Sequence, residues 1–194
     1  MSLIRKEKIK VTENSEQDLI KGVLKKDTAS MKVLYDFNVR YLSAVCSRYV
    51  VREEDIKDVL QDAFIKIFTA LNHFSYKGKG SLQAWMKRIV VNEALMFLRK
   101  QNKTSFISSD SEIPESIIDE EPSVEEVPSE VLYEMIRGLS DGYRTILNLY
   151  VFERKSHKEI AELLGISENT SFSQYYRAKK ALAVMIRKYL EDAK

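Results

Sequence analysis

Thr170, Ser171, Ser173 and Gln174, followed by Arg177, Lys179 and Lys180, set hydroxyl, amide and cationic groups along one short stretch. Hydroxyls and amides exchange hydrogen bonds with base edges, and cations meet phosphates. The chemistry available there is that of holding a nucleic acid. A second group lies in HFSYKGKGS, His73–Ser81, where Phe74 and Tyr76 are followed by Lys77 and Lys79. Aromatic faces that stack on unpaired bases, beside lysines that meet the backbone, suit single-stranded nucleic acid. A plain connector with Phe74 tucked into a core fits that loop equally well. Arg88, Asn92 and Arg99 fall on one stripe of a helical pattern, at i, i+4 and i+11. That stripe is either a basic surface for DNA or an ordinary solvent face. Asp55, Asp58 and Asp62 share a face at i, i+3 and i+7, with Gln61 beside them. It suits docking onto a basic or polar protein surface, or simple solvation.

Chemistry of other kinds has little support. A Gly-rich phosphate loop, a nucleophile elbow and paired carboxylates with a partner histidine are all missing from the sequence, so no catalytic residue is assigned. The single cysteine, Cys46, excludes an internal disulfide framework and a cysteine-based zinc cluster, and two histidines leave little for a metal. No cofactor and no small-molecule substrate is implied. Cys46 stands in an apolar run and reads as a small buried hydrophobe.

The elements that must position these groups are helices. Around the first stretch, Ile160, Leu163 and Leu164 share an apolar face. Ser156 with Glu159 three residues on is a capping-box pattern. Gly165 then ends the helix, Ile166 can plug the corner, and Ser167 caps a second helix. The product is a helix-turn-helix over His157–Leu182, whose second helix can enter a major groove. Downstream, Leu182, Met185, Ile186, Tyr189 and Leu190 continue that helix.

Upstream, periodicity predicts a helix from about Ser15 to Lys26, with Gly22 inside it. A second runs from Thr28 to about Val50, with Leu34, Phe37, Tyr41, Val45 and Tyr49 facing a core. A third spans Arg52–Asn72, with Ile56, Val59, Leu60, Ala63, Ile67 and Leu71 as its stripe. Ser81 caps a fourth, Leu82–Lys100, whose Leu82, Trp85, Met86, Ile89, Val90 and Phe97 cover most of its circumference. Further helices are marked by Val131–Leu139, closed by Gly138, and by Tyr143–Tyr150, opened by Ser140. No strand pattern competes.

The chain has 194 residues and a formal net charge of only +2, which excludes a uniformly basic binder but not a segregated one. Pro114, Pro122 and Pro128, the three prolines, lie with eight acidic residues in a stretch lacking helical period. That composition predicts an extended acidic linker. The fold class expected is therefore all-α: a flexible arm over 1–14, a helical domain over 15–101, a flexible acidic linker over 102–128, and a helix-turn-helix domain over 129–194. No apolar run approaches the roughly 20 residues that span a bilayer, and no signal-peptide core opens the chain. Direct membrane insertion is not expected, and the default location is cytoplasmic.

Helical domain, acidic linker and terminal helix-turn-helix, in that order, resemble a bacterial RNA polymerase sigma factor of the extracytoplasmic-function group of the sigma-70 family. Three stretches carry the likeness. EDIKDVLQDAFIKIF, Glu54–Phe68, resembles the family's polymerase-binding helix. FSYKGKGSLQAWMKRIVVNEALMFLR, Phe74–Arg99, resembles its promoter-melting and minus-ten-reading region. Leu139–Leu182 resembles the region that reads the minus-thirty-five element.

The resemblance implies that Asp55, Asp58, Gln61 and Asp62 grip the polymerase core. It implies that Phe74, Lys77, Lys79 and Ser81 receive an unstacked base, and that Arg88, Asn92 and Arg99 meet the same strand or the adjacent duplex. Ser167, Thr170, Ser171, Phe172, Gln174, Arg177 and Lys180 are implied at the minus-thirty-five element. Polymerase core, promoter DNA and an anti-sigma factor are the implied partners. The sequence departs from the family where Phe172 stands in place of a common basic residue, Asn169 in place of a glycine, and Met96 in place of an acidic residue. A free-standing helix-turn-helix regulator that binds an operator without polymerase is the alternative reading, and a module that only binds polymerase or another sigma factor is a third.

Overall fold

The computed structural model describes residues 13–101, 122 and 124–192; the first twelve residues and most of the expected acidic linker lie outside that range. Eight α-helices and one short 3-10 turn make up the described residues, with no strand among them. The expected all-α class therefore holds.

α1 (Glu13–Leu24) and α2 (Thr28–Cys46) form a helical hairpin. α1 starts two residues before the expected Ser15 and ends two before Lys26. The turn into α2 is closed by Asp27, whose carboxylate accepts from the Ser30 amide at 2.9 Å, as an N-cap should. Gly22 permits the tight approach at this turn, since a side-chain carbon there would collide with Ser30.

α2 corrects the expected core face. Leu34, Asn38, Leu42, Val45 and Cys46 are buried, whereas Phe37 and Tyr41 are exposed. A polar residue sits within the buried stripe. Asn38 returns its amide to the Leu34 carbonyl at 2.8 Å, which removes the cost of burying it. The helix also ends at Cys46, four residues short of expectation. Tyr49 and Val50 remain buried in the connector that follows.

α3 (Glu53–Ala70) and the 3-10 turn Leu71–His73 bury all six residues of the expected stripe. α4 (Ser81–Gln101) buries Leu82, Met86 and Val90, with Trp85, Ile89 and Phe97 half-buried around them. A buried Glu93 carboxylate receives Lys66 of α3 at 2.7 Å and ties the two helices together. Burial pushes the Cys46 thiol up to about 12, so it stays protonated and packs as a hydrophobe.

The second unit comprises α5 (Ser129–Arg137), α6 (Asp141–Val151), α7 (His157–Leu164) and α8 (Glu168–Asp192). Leu139, Tyr143, Leu147, Ala178 and Leu182 form its own core. Ile146, Leu149, Ile160 and Leu164 instead complete the core of the first unit. The two units thus share a continuous apolar contact. Among the described residues no helix is long and apolar enough to cross a membrane.

Candidate nucleic-acid interface

The helix-turn-helix forms as its residues dictate. Ser156 Oγ accepts from the Glu159 amide, and the Glu159 carboxylate accepts from the Ser156 amide at 2.8 Å, closing the capping box. Those bonds favour the ionised carboxylate and hold Glu159 below the usual carboxylate range. Gly165 ends α7 with φ of 70°, a left-handed conformation that costs glycine least. Ile166 is half-buried against the core at the corner. Ser167 Oγ accepts from the Thr170 amide at 3.0 Å and lies 2.7 Å from the Thr170 hydroxyl, so both residues serve the start of α8.

α8 presents a different side outward from the one the sequence suggests. Ser171, Gln174 and Lys180 are buried, with 0%, 3% and 8% exposure, and Arg177 is half-buried. Ser171 Oγ lies 3.0 Å from His157 Nδ1, and Lys180 Nζ sits over the Tyr176 ring at 4.9 Å. These three side chains brace the domain from within, and their burial keeps them from the base contacts the resemblance implied. Their burial has a legible cause. Stepping back from Leu182 through Ala178 at helical spacing leads to Gln174 and Ser171, so the polar pair extends the apolar stripe. The outward face instead carries Asn169, Phe172, Ser173, Tyr176 and Lys179. Of the residues implied at the minus-thirty-five element only Phe172 and Ser167 are exposed; Ser173 and Lys179 of the same stretch are exposed beside them, and Asn169 and Tyr176 are additions.

On α3, Asp58, Gln61 and Asp62 are exposed together, as expected. Asp55 is half-buried and lies 3.8 Å from Arg52, so it belongs to the start of the helix more than to its outer face. Ile65, 54% exposed and one turn beyond Gln61, was missed because an isoleucine reads as core.

The glycine loop is built on a folded floor. Phe74 packs on Trp85 with ring centroids 5.2 Å apart and is half-buried, which favours the structural role for that ring. Tyr76 is also half-buried, and its hydroxyl reaches Glu16 at 3.3 Å. Gly78 and Gly80 adopt φ of 106° and 85°, conformations that side-chain-bearing residues rarely enter. Ser81 does not cap the helix through its own oxygen; that atom accepts the Lys77 amide at 3.1 Å and closes the loop. Lys77 and Lys79 are exposed.

The sequence matches the family described as Sigma-70 region 2 over residues 34–104, and that described as Sigma-70, region 4 over residues 129–182. It is 26% identical to the ECF RNA polymerase sigma-E factor of Haemophilus influenzae, over 87% of this chain and 93% of that protein. It is 24% identical to the RNA polymerase sigma-H factor of Pseudomonas aeruginosa, over 94% of this chain and all of that protein. The chain belongs to the sigma-70 family, in its extracytoplasmic-function group. A solved complex of the sigma factor RpoE with the anti-sigma factor NepR from Bartonella quintana aligns with TM-score 0.48 and 20% identity, over 80% of this chain and 96% of that one.

In this sigma factor the stripe of α4 does not stand free. Arg88 and Asn92 are exposed but line a cleft whose far wall is Glu153, Lys155, Glu159 and Leu163 of the second unit. Lys87 pairs with Glu153 across it at 2.7 Å, and Arg99 donates to the Leu163 carbonyl. The same contact is reinforced at the connector between α2 and α3. The Arg48 carbonyl accepts from Asn148 at 2.7 Å, the Val51 carbonyl from Arg137 at 2.9 Å, and the Tyr49 carbonyl twice from Arg144, at 3.1 and 3.2 Å. Ser47 and Tyr133 share a hydroxyl–hydroxyl bond of 2.6 Å, and Arg48 lies over the Phe152 ring at 4.7 Å. A connector that leaves helical pairing must find donors for its carbonyls elsewhere, and here the second unit supplies them.

Proposed function

We propose that this sigma factor, which directs RNA polymerase core to promoters, grips the polymerase through the exposed Asp58, Gln61 and Asp62 on α3. The minus-thirty-five duplex is read by the outward face of α8. The glycine loop with Lys77 and Lys79, and the α4 residues Arg88, Asn92 and Arg99, take the melted minus-ten strand. The observation that supports this reading is the joint exposure of Asp58, Gln61 and Asp62 on α3, of Lys77 and Lys79 in the glycine loop, and of Phe172, Ser173, Tyr176 and Lys179 on α8. Domains at 15–101 and 129–194, joined through 102–128, fit that division. Capture of an unstacked base offsets a few kcal/mol of unstacking, and covalent chemistry has no part in it.

The cleft adds a step. Arg99 reaches DNA once it leaves the Leu163 carbonyl, and the Lys87–Glu153 pair narrows access to Arg88 and Asn92, so full promoter engagement by α4 requires the two units to part. An anti-sigma factor is a further proposed partner, and the cytoplasm the proposed location. The free-standing regulator is not favoured, because the region-2 match and the acidic α3 face have no role in it.

The test is charge reversal at Asp58 and Asp62 together. Affinity for polymerase core should fall at least tenfold, about 1.4 kcal/mol, while the helical content of the free protein stays unchanged. Full core binding by the double variant removes the α3 assignment.

A further inference from the structure

Phe172 is, at 60%, the most exposed of the large apolar side chains among the described residues. It stands in the first turn and a half of α8, the part of a recognition helix that meets base edges. Its ring is nevertheless not loose. His157 meets it edge-on, with centroids 5.4 Å apart and planes at 73°. His157 is itself fixed on two sides: Tyr150 stacks on it at 4.7 Å and 18°, and the buried Ser171 hydroxyl lies 3.0 Å from its Nδ1. An exposed apolar ring held in one place by a buried hydroxyl and two further rings is preorganised for a partner, since little motion is left to lose on contact.

The chemistry of that partner follows from what surrounds the ring. From Glu168 through Tyr176 the sequence ENTSFSQYY contains no basic residue. The commonest specific contact to guanine, a bidentate Arg or Lys on O6 and N7, is therefore not available from the first two turns. What this face offers is an amide at Asn169, an aromatic ring at Phe172, a hydroxyl at Ser173, and a second exposed ring one turn on at Tyr176. The apolar feature of the major groove is the thymine C5-methyl.

We infer that Phe172, braced by His157, reads a thymine methyl in the upstream promoter element, which makes a T·A pair the specificity determinant at that position. This rests on α8 being the duplex-reading helix. Phe172 is the specificity residue and His157 the residue that positions it.

The experiment uses holoenzyme reconstituted from the full chain and polymerase core, selecting from promoters randomised across the upstream element. The wild type should enrich thymine at one position. Phe172→Ala should lose that preference and keep its neighbours; the ring buries little, so the fold should survive. Deoxyuridine placed at the selected thymine should weaken wild-type binding roughly fourfold, the loss expected for one apolar methyl, and should not affect Phe172→Ala. His157→Ala should shrink the thymine-to-deoxyuridine ratio, and His157→Phe should restore it, because the ring is what braces Phe172. Equal wild-type binding of thymine and deoxyuridine overturns the methyl contact while leaving α8 as the reader. A holoenzyme with no sequence preference anywhere in the upstream element overturns both.

Discussion

Arg144 joins the two units more tightly than any other side chain described, and its removal should be felt in both. It is 3% exposed and donates to the carbonyls of Tyr49, Arg137 and Leu139, with Asp141 as its counter-ion. Arg144→Met keeps most of the apolar stem and strips every donor. The Tyr49 and Leu139 carbonyls are then left buried without partners, at about 1–3 kcal/mol each. Asp141 is 41% exposed and recovers water, so its loss adds little.

Two orphaned carbonyls together cost about 2–6 kcal/mol, a large share of a stability of roughly 5–15 kcal/mol. Arg144→Lys should lie between, because an ammonium cannot reproduce the planar fork that holds three carbonyls. Urea unfolding followed by circular dichroism gives the energy. The single tryptophan, Trp85, lies in the first unit against Phe74 and gives a local signal. The far-ultraviolet and Trp85 transitions should coincide in the wild type and separate in Arg144→Met, and the radius of gyration from small-angle scattering should rise. A Met variant within about 0.5 kcal/mol of wild type, with an unchanged radius, refutes the argument that these carbonyls depend on Arg144.

Two further outcomes are expected. Lys87 and Glu153 are both less than a quarter exposed, and a double-mutant cycle on Lys87→Met and Glu153→Gln should return a coupling of about 1 kcal/mol; additive effects would remove the pair as a clasp on the cleft. Stability should also fall in acid. Asp27 is held below the usual carboxylate range, chiefly by the Ser30 hydroxyl and then by the Ser30 amide, and Glu159 by the Ser156 amide and hydroxyl. A carboxyl depressed by folding stabilises the fold above its unfolded pKa, and that contribution disappears as pH drops through the folded value. The loss should therefore fall below the ordinary carboxylate range, and Asp27→Asn, measured by thermal unfolding between pH 7 and pH 3, should show a shallower decline than wild type.

Local signals settled a good deal before any tertiary contact was known. Ser156, Glu159, Gly165 and Ser167 specify the helix-turn-helix through bonds that span four residues or fewer, so the sequence contains both partners of each. The stripe of α3 was legible for the same reason: one face is uniformly apolar, and helical spacing alone assigns it. Its acidic face follows as the remainder.

Tertiary structure decided what was ambiguous by periodicity. α2 has apolar residues on two sides, and only packing against α3 and α4 chose Leu34, Asn38 and Leu42 over Phe37 and Tyr41. α8 has polar residues on several sides, and the core beneath α6 and α7 drew in Ser171, Gln174 and Lys180 while leaving Phe172 in water. The meeting of Arg144 with the Tyr49 carbonyl links residues 95 positions apart. A buried arginine announces no partner in sequence, because its donors are satisfied by backbone carbonyls that every residue carries. Residue types and short spacings therefore determined the helices, the turn and the classes of chemistry. Which side chains face a partner, and that α4 lies against the second unit, came only from packing, where distant segments compete for the same buried volume.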